Sequence, residues 1–175
     1  MKILILPGNA IGNKEWLRAI KKSLNKFVGK IEVIEYSHWK EDKKLIDLDV
    51  ESEKAGGVYD IVIAKSIGVI LALKGIKESK LITKKCVFIG TPINWAKKKD
   101  LQPLKYFDNF KIPTLFIQNK GDPTCSSEEL KKILKSKKIS NYSLLEFMKD
   151  THNYDTDEII KETIKFGKIK TNGCD

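Results

Sequence analysis

Two hydrophobic patterns alternate along this chain. Short β-branched runs recur at Lys2–Leu6 (KILIL), Ile31–Tyr36 (IEVIEY), Asp60–Ala64 (DIVIA), Lys85–Gly90 (KCVFIG), Pro113–Gln118 (PTLFIQ) and Tyr142–Phe147 (YSLLEF). Near-continuous apolar runs of this length suit strands covered on both faces, as in a parallel sheet. Between them the spacing becomes helical. Trp16, Leu17, Ile20, Leu24 and Phe27 fall on one face of a helix beginning near Asn13. Ser126-Ser127-Glu128-Glu129 reads as a capping box ahead of Leu130, Ile133 and Leu134, and a last helix from about Thr156 to Phe166 carries Ile159, Ile160 and Ile164. Strands alternating with helices predict a three-layer α/β sandwich with right-handed crossovers. In such a sheet the chemistry belongs at the carboxyl ends of the strands.

Three of those ends carry reactive side chains. After the third run the chain reads Ala64-Lys65-Ser66-Ile67-Gly68 and enters an apolar helix. Small residues two before and two after a Ser permit a tight strand-to-helix turn that lifts the hydroxyl above the sheet. The competing reading is a Ser that only caps the helix starting at Ile67. After the fifth run comes Asn119-Lys120-Gly121-Asp122-Pro123, where Asp122 is either a functional carboxylate or a turn residue. After the sixth comes Asp150-Thr151-His152-Asn153-Tyr154, with His152 either functional or a polar loop residue. The fourth run ends Gly90-Thr91-Pro92-Ile93-Asn94 without an acid. The order Ser66, Asp122, His152, each at a separate strand end, is that of a nucleophile, acid and base set.

These residues resemble the α/β-hydrolase superfamily, and most nearly its small, lid-poor serine hydrolases of the retinoblastoma-binding-protein type. The resemblance covers essentially the whole chain: Leu4–Asn9, the turn at Ser66, Gly121–Pro123 and His152. It implies a sheet of about six mostly parallel strands in the order 2-1-3-4-5-6, without a large lid. The chain starts at what would be the family's third strand. The resemblance also implies a catalytic triad of Ser66, Asp122 and His152. The Leu6-Pro7-Gly8-Asn9 loop looks like the family's oxyanion loop, so the backbone N–H of Asn9 would be one oxyanion donor and that of Ile67 the other. Ala64 stands where the family commonly has Gly, and Lys65 where it more often has His or Tyr.

Composition narrows the field further. A length of 175 residues suits one domain, residues 1–175, and 41% hydrophobic residues suffice for a core. No apolar run approaches the roughly 18 residues needed to cross a bilayer. Lys2–Leu6 is too short for a signal peptide, so a soluble, cytoplasmic protein is expected, with no membrane partner. The net charge of +10 invites a nucleic-acid reading, but 32 of the 33 basic residues are Lys and only Arg18 is Arg. Arg makes the bidentate contacts to phosphate and guanine, so no nucleic-acid partner is expected. Cys86, Cys125 and Cys174 lie too far apart for a zinc site or a disulfide framework. His38 and His152 lack companion ligands, so no metal site is expected. The Gly8–Lys14 loop fails the P-loop and dinucleotide patterns.

The expected activity is therefore hydrolysis of a small carboxylic ester, thioester or amide through an acyl-enzyme, with no cofactor. The alternative is a hydrolase-fold protein that binds a partner without catalysis. Trp39 and Trp95 are candidate substrate contacts, Trp39 alternatively packing down in a surface loop. The segment 93–111 is a candidate short flap, its aromatics divided between pocket wall and core. Neither substrate identity nor oligomeric state is legible.

Overall fold

The computed structural model describes residues 1–41 and 44–170. Six strands form one sheet: β1 (Lys2–Leu6), β2 (Lys30–Val33), β3 (Gly57–Lys65), β4 (Leu81–Ile89), β5 (Thr114–Asn119) and β6 (Tyr142–Phe147). Their spatial order is β2-β1-β3-β4-β5-β6 and every pairing is parallel. Helices α1 (Asn13–Leu24), α2 (Leu48–Lys54), α3 (Ile67–Lys77), α4 (Ile93–Lys98), α5 (Ser127–Ser136) and α6 (Thr156–Gly167) lie on both sides of the sheet. This is the expected three-layer α/β arrangement, with no large lid.

The inner strands read as continuous apolar runs because both faces are covered. Ile3 to Leu6, Ile61 to Ala64 and Cys86 to Ile89 are all buried. β3 and β4 also extend further toward their amino ends than the apolar runs suggest. There the pattern alternates, with Val58 and Ile82 exposed, because one face of the sheet is uncovered. β2 is shorter than its run, ending at Val33, while Tyr36 drops into the core and donates its hydroxyl to Pro7 O at 2.7 Å. Helix α1 ends at Leu24, leaving Phe27 beyond it but still packed against the core. The capping box of α5 forms between Ser126 and Glu129.

Helix α3 is buried along Ile67–Gly75, including Lys74, which pairs with Asp49 at 2.8 Å. It is covered by α2 and by a 3-10 helix over Pro103–Phe107. The segment 93–111 thus consists of α4 and this 3-10 helix, with Tyr106, Phe107 and Phe110 buried in the core. Cys86 and Cys125 are free and buried; Cys174 lies outside the described residues. Among the described residues no helix is long and apolar enough to cross a membrane.

Candidate active site

The turn at Ser66 sets the geometry. Ser66 has φ 53° and ψ −125°, a conformation that L-residues occupy only under constraint. Its N–H is held by Ile89 O at 2.8 Å across to β4. Gly68 allows the helix to start this close to β1, since a Cβ there would sit 2.5 Å from Leu6 O and 2.7 Å from Pro7 O. Ser66 heads α3, yet its side chain makes no capping bond. The hydroxyl instead lies 3.0 Å from His152 Nε2.

The other imidazole nitrogen, Nδ1, lies 2.7 Å from Asp122 Oδ2. Asp122 is 3% exposed and its two oxygens divide the work. Oδ1 accepts from the Thr124 N–H at 2.8 Å and the Thr124 hydroxyl at 2.7 Å, which makes the turn. Oδ2 accepts from His152 and from the Tyr154 hydroxyl, the latter at 2.5 Å. The turn role and the histidine-facing role are therefore carried by one side chain. Burial pushes its carboxyl upward, but the hydrogen bonds from His152, Tyr154 and Thr124 outweigh it and hold the group below its ordinary value. An ionised carboxylate only accepts, so Nδ1 carries the proton and Nε2 is free to accept the Ser66 hydroxyl hydrogen.

The His152 loop is fastened from β5. Asn119 Nδ2 donates to Thr151 O at 2.7 Å and Asn153 O at 3.0 Å, on either side of His152. The Asn119 N–H donates to Tyr154 Oη at 3.1 Å, and the Tyr154 ring meets the imidazole edge-on. Gly90, at φ 58°, leaves room for this loop, since a Cβ would come within 3.0 Å of the His152 ring. Gln118 ties two strand ends together, accepting from Thr91 N at 2.8 Å and donating to Cys125 O at 2.6 Å.

A cavity of about 360 Å³ opens over these groups, lined among others by Ser66, His152, Asn9, Lys65 and Trp95. Trp39 does not line it. Trp39 is buried and donates its indole N–H to Asn9 O at 2.7 Å, while His38 Nε2 lies 2.8 Å from the same oxygen. The Asn9 side chain is fastened as well, to Ile46 N and Lys44 O. Among the described residues, neither the N–H of Asn9 nor that of Ile67 donates to a protein acceptor. A larger hollow of about 480 Å³, beside Asp49, Lys74 and Tyr106, lies away from this set, and Lys74 there is already paired.

Thr124, Asn119, Gln118 and Tyr154 were not singled out by sequence. Thr124 and Tyr154 each lie two residues beyond a residue that was, and the Asp-x-Thr spacing is a turn signal. Asn119 and Gln118 leave no such trace, because their partners are main-chain groups, most of them distant in sequence.

The same fold recurs in solved α/β hydrolases. A protein described as a YdeN-like hydrolase from Pectobacterium atrosepticum matches with a TM-score of 0.69 at 14% identity, covering 95% of this chain and 90% of that one. An α/β hydrolase from a Medee basin deep-sea metagenome library matches at 0.64 and 14%, covering 99% and 91%. An esterase from Pyrococcus furiosus matches at 0.60 and 19%, covering 95% and 81%. These likenesses establish the α/β-hydrolase fold. No protein-family model and no curated protein matches the sequence.

Proposed function

We propose that the protein is a serine hydrolase that cleaves a small carboxylic ester, thioester or amide. The observation that carries this reading is His152 bridging Ser66 at 3.0 Å and Asp122 at 2.7 Å, beside an open cavity. Ser66 Oγ attacks the acyl carbon while His152 Nε2 takes its proton. The tetrahedral intermediate collapses as His152 returns that proton to the leaving group, leaving an acyl-Ser66 ester. Water then attacks the acyl carbon, again giving a proton to His152, and Ser66 is regenerated with release of the acid. Asp122 holds the imidazole tautomer and stabilises the imidazolium. The N–H groups of Asn9 and Ile67 receive the oxyanion, at about 3 kcal/mol per donor in related chemistry.

Trp39 acts in this scheme by fixing the Asn9 loop, and Trp95 by contacting substrate. The short α4 segment supports grouping the protein with small, lid-poor hydrolases such as the retinoblastoma-binding-protein type. The free thiols of Cys86 and Cys125 support a cytoplasmic setting.

A fluorophosphonate probe tests the reading. Wild-type protein is expected to be labelled, and Ser66→Ala and His152→Ala to lose labelling. A folded wild type that resists the probe would favour a hydrolase-fold protein that binds without catalysis.

A further inference from the structure

Lys65 has no part in the chemistry above, yet it adjoins Ser66 and lines the same cavity. Its partners are neutral. Nζ donates to Asn13 Oδ1 at 3.2 Å and lies 5.2 Å from the centroid of the Trp16 ring. Several other well-covered ammonium groups of this Lys-rich chain meet acids: Lys74 meets Asp49 at 2.8 Å, Lys80 meets Glu53 at 2.7 Å and Lys137 meets Asp108 at 2.7 Å, while Lys85, away from this cavity, donates to Phe166 O at 2.9 Å. No Asp or Glu lines the cavity, and among the described residues none pairs with Lys65. Burial lowers the Lys65 ammonium from its ordinary value, with no acid to counter the effect.

A half-buried cation without a counter-ion is costly unless a ligand brings one. We propose that Lys65 receives a carboxylate carried by the substrate, so that the preferred substrates are half-esters of dicarboxylic acids, with one carboxyl group esterified to the leaving alcohol and attacked by Ser66, and the other free. This deepens the hydrolase reading and rests on it. Asn13, held through its Nδ2 to Ala10 O at 2.9 Å, keeps the ammonium over the cavity until the carboxylate arrives. A compact ammonium suits a single carboxylate at the end of a short acyl chain.

The test compares the para-nitrophenyl half-ester of glutaric acid with para-nitrophenyl pentanoate, which has the same chain length but no charge. Wild type is expected to favour the half-ester in kcat/KM by roughly tenfold or more, the range of a charge-assisted hydrogen bond. Lys65→Gln is expected to bring the ratio toward one, and Lys65→Arg to keep most of it. The pair of variants separates charge from folding, because both alter the Trp16 contact. Glutarate binding, measured by calorimetry without turnover, should weaken in Lys65→Gln and persist in Lys65→Arg. Equal rates on both esters, unchanged in Lys65→Gln, would overturn this inference while leaving the hydrolase reading intact. If neither ester is cleaved and the fluorophosphonate probe leaves Ser66 unlabelled, the hydrolase reading fails. Glutarate binding then decides: dependence on the Lys65 charge upholds the carboxylate site, and independence overturns it.

Discussion

The Tyr154 hydroxyl and the His152 imidazole converge on one oxygen of Asp122, Oδ2, at 2.5 and 2.7 Å. Tyr154 thus helps keep Asp122 ionised while resting its ring against the edge of the imidazole. Replacing it by Phe keeps the ring and removes only the hydroxyl. The expected cost is about 1–2 kcal/mol at neutral pH, from the lost donor and the Asn119 N–H left unpaired. Asp122 lies below its ordinary value when folded, so the stability it contributes is present at neutral pH and is lost on acidification. Tyr154→Phe raises the folded-state value toward the unfolded one, so less stability is lost on acidification and the loss is complete at a higher pH. Urea denaturation over an acid pH series reads both effects. Under the proposed chemistry kcat falls several-fold with little change in KM.

Gly68 faces main-chain oxygens that cannot swing aside. A methyl group there meets Leu6 O at 2.5 Å, so Gly68→Ala must push α3 away from β1. We expect destabilisation of about 2–3 kcal/mol, within the range for overpacking, and loss of probe labelling at Ser66. A variant with wild-type melting and labelling would contradict the close-approach argument.

Ser66 sits in a strained backbone well, which should be visible in stability rather than activity. Ser66→Ala keeps a Cβ and keeps the strain, whereas Ser66→Gly relieves it at φ 53°. Strain relief of about 1–3 kcal/mol exceeds the entropic cost of Gly, about 0.5–1 kcal/mol. Ser66→Gly should therefore unfold at higher urea than Ser66→Ala, although both are inactive under the proposed mechanism. The reverse order would mean that the surrounding turn imposes no strain.

At the opposite end of the sheet, Glu32 on β2 accepts from Tyr59 of β3 at 2.7 Å, over the intervening β1, and pairs with Lys30 and Lys2. The hydrogen bonds from Tyr59, Lys30 and Lys2 overcome partial burial and hold its carboxyl at about 2. The lowered value means that its contribution is present at neutral pH and is lost as pH falls from about 4.3 toward about 2. Glu32→Gln should flatten this part of the stability curve. An unchanged acid slope in thermal melts would show that the cluster contributes nothing.

The core strands, and the three side chains that meet at His152, were legible because local pattern and chain order reported them directly. A strand covered on both faces must be apolar throughout, and a tight strand-to-helix turn must be flanked by small residues. The amino-terminal halves of β3 and β4 escaped, because one face is open and Val58 and Ile82 alternate with buried neighbours. Helices α2 and α4 escaped because 7 and 6 residues leave too little periodicity. The bracing of the site was hidden for another reason. Asn119 is polar in a wholly buried strand, and its purpose is set by two carbonyls more than thirty residues away. Trp39 was legible as an aromatic near a strand end, but not as the residue that grips Asn9 O.

His152 follows β6, the strand that joins the sheet last in chain order and occupies its outer edge beside β5. A chain made on the ribosome emerges amino end first, and a domain generally folds as a unit. A growing chain thus holds Ser66 and Asp122 before it holds the imidazole that joins them. Under the proposed chemistry such a half-built molecule is inert toward acyl groups, and reactivity arrives in one step when β6 docks.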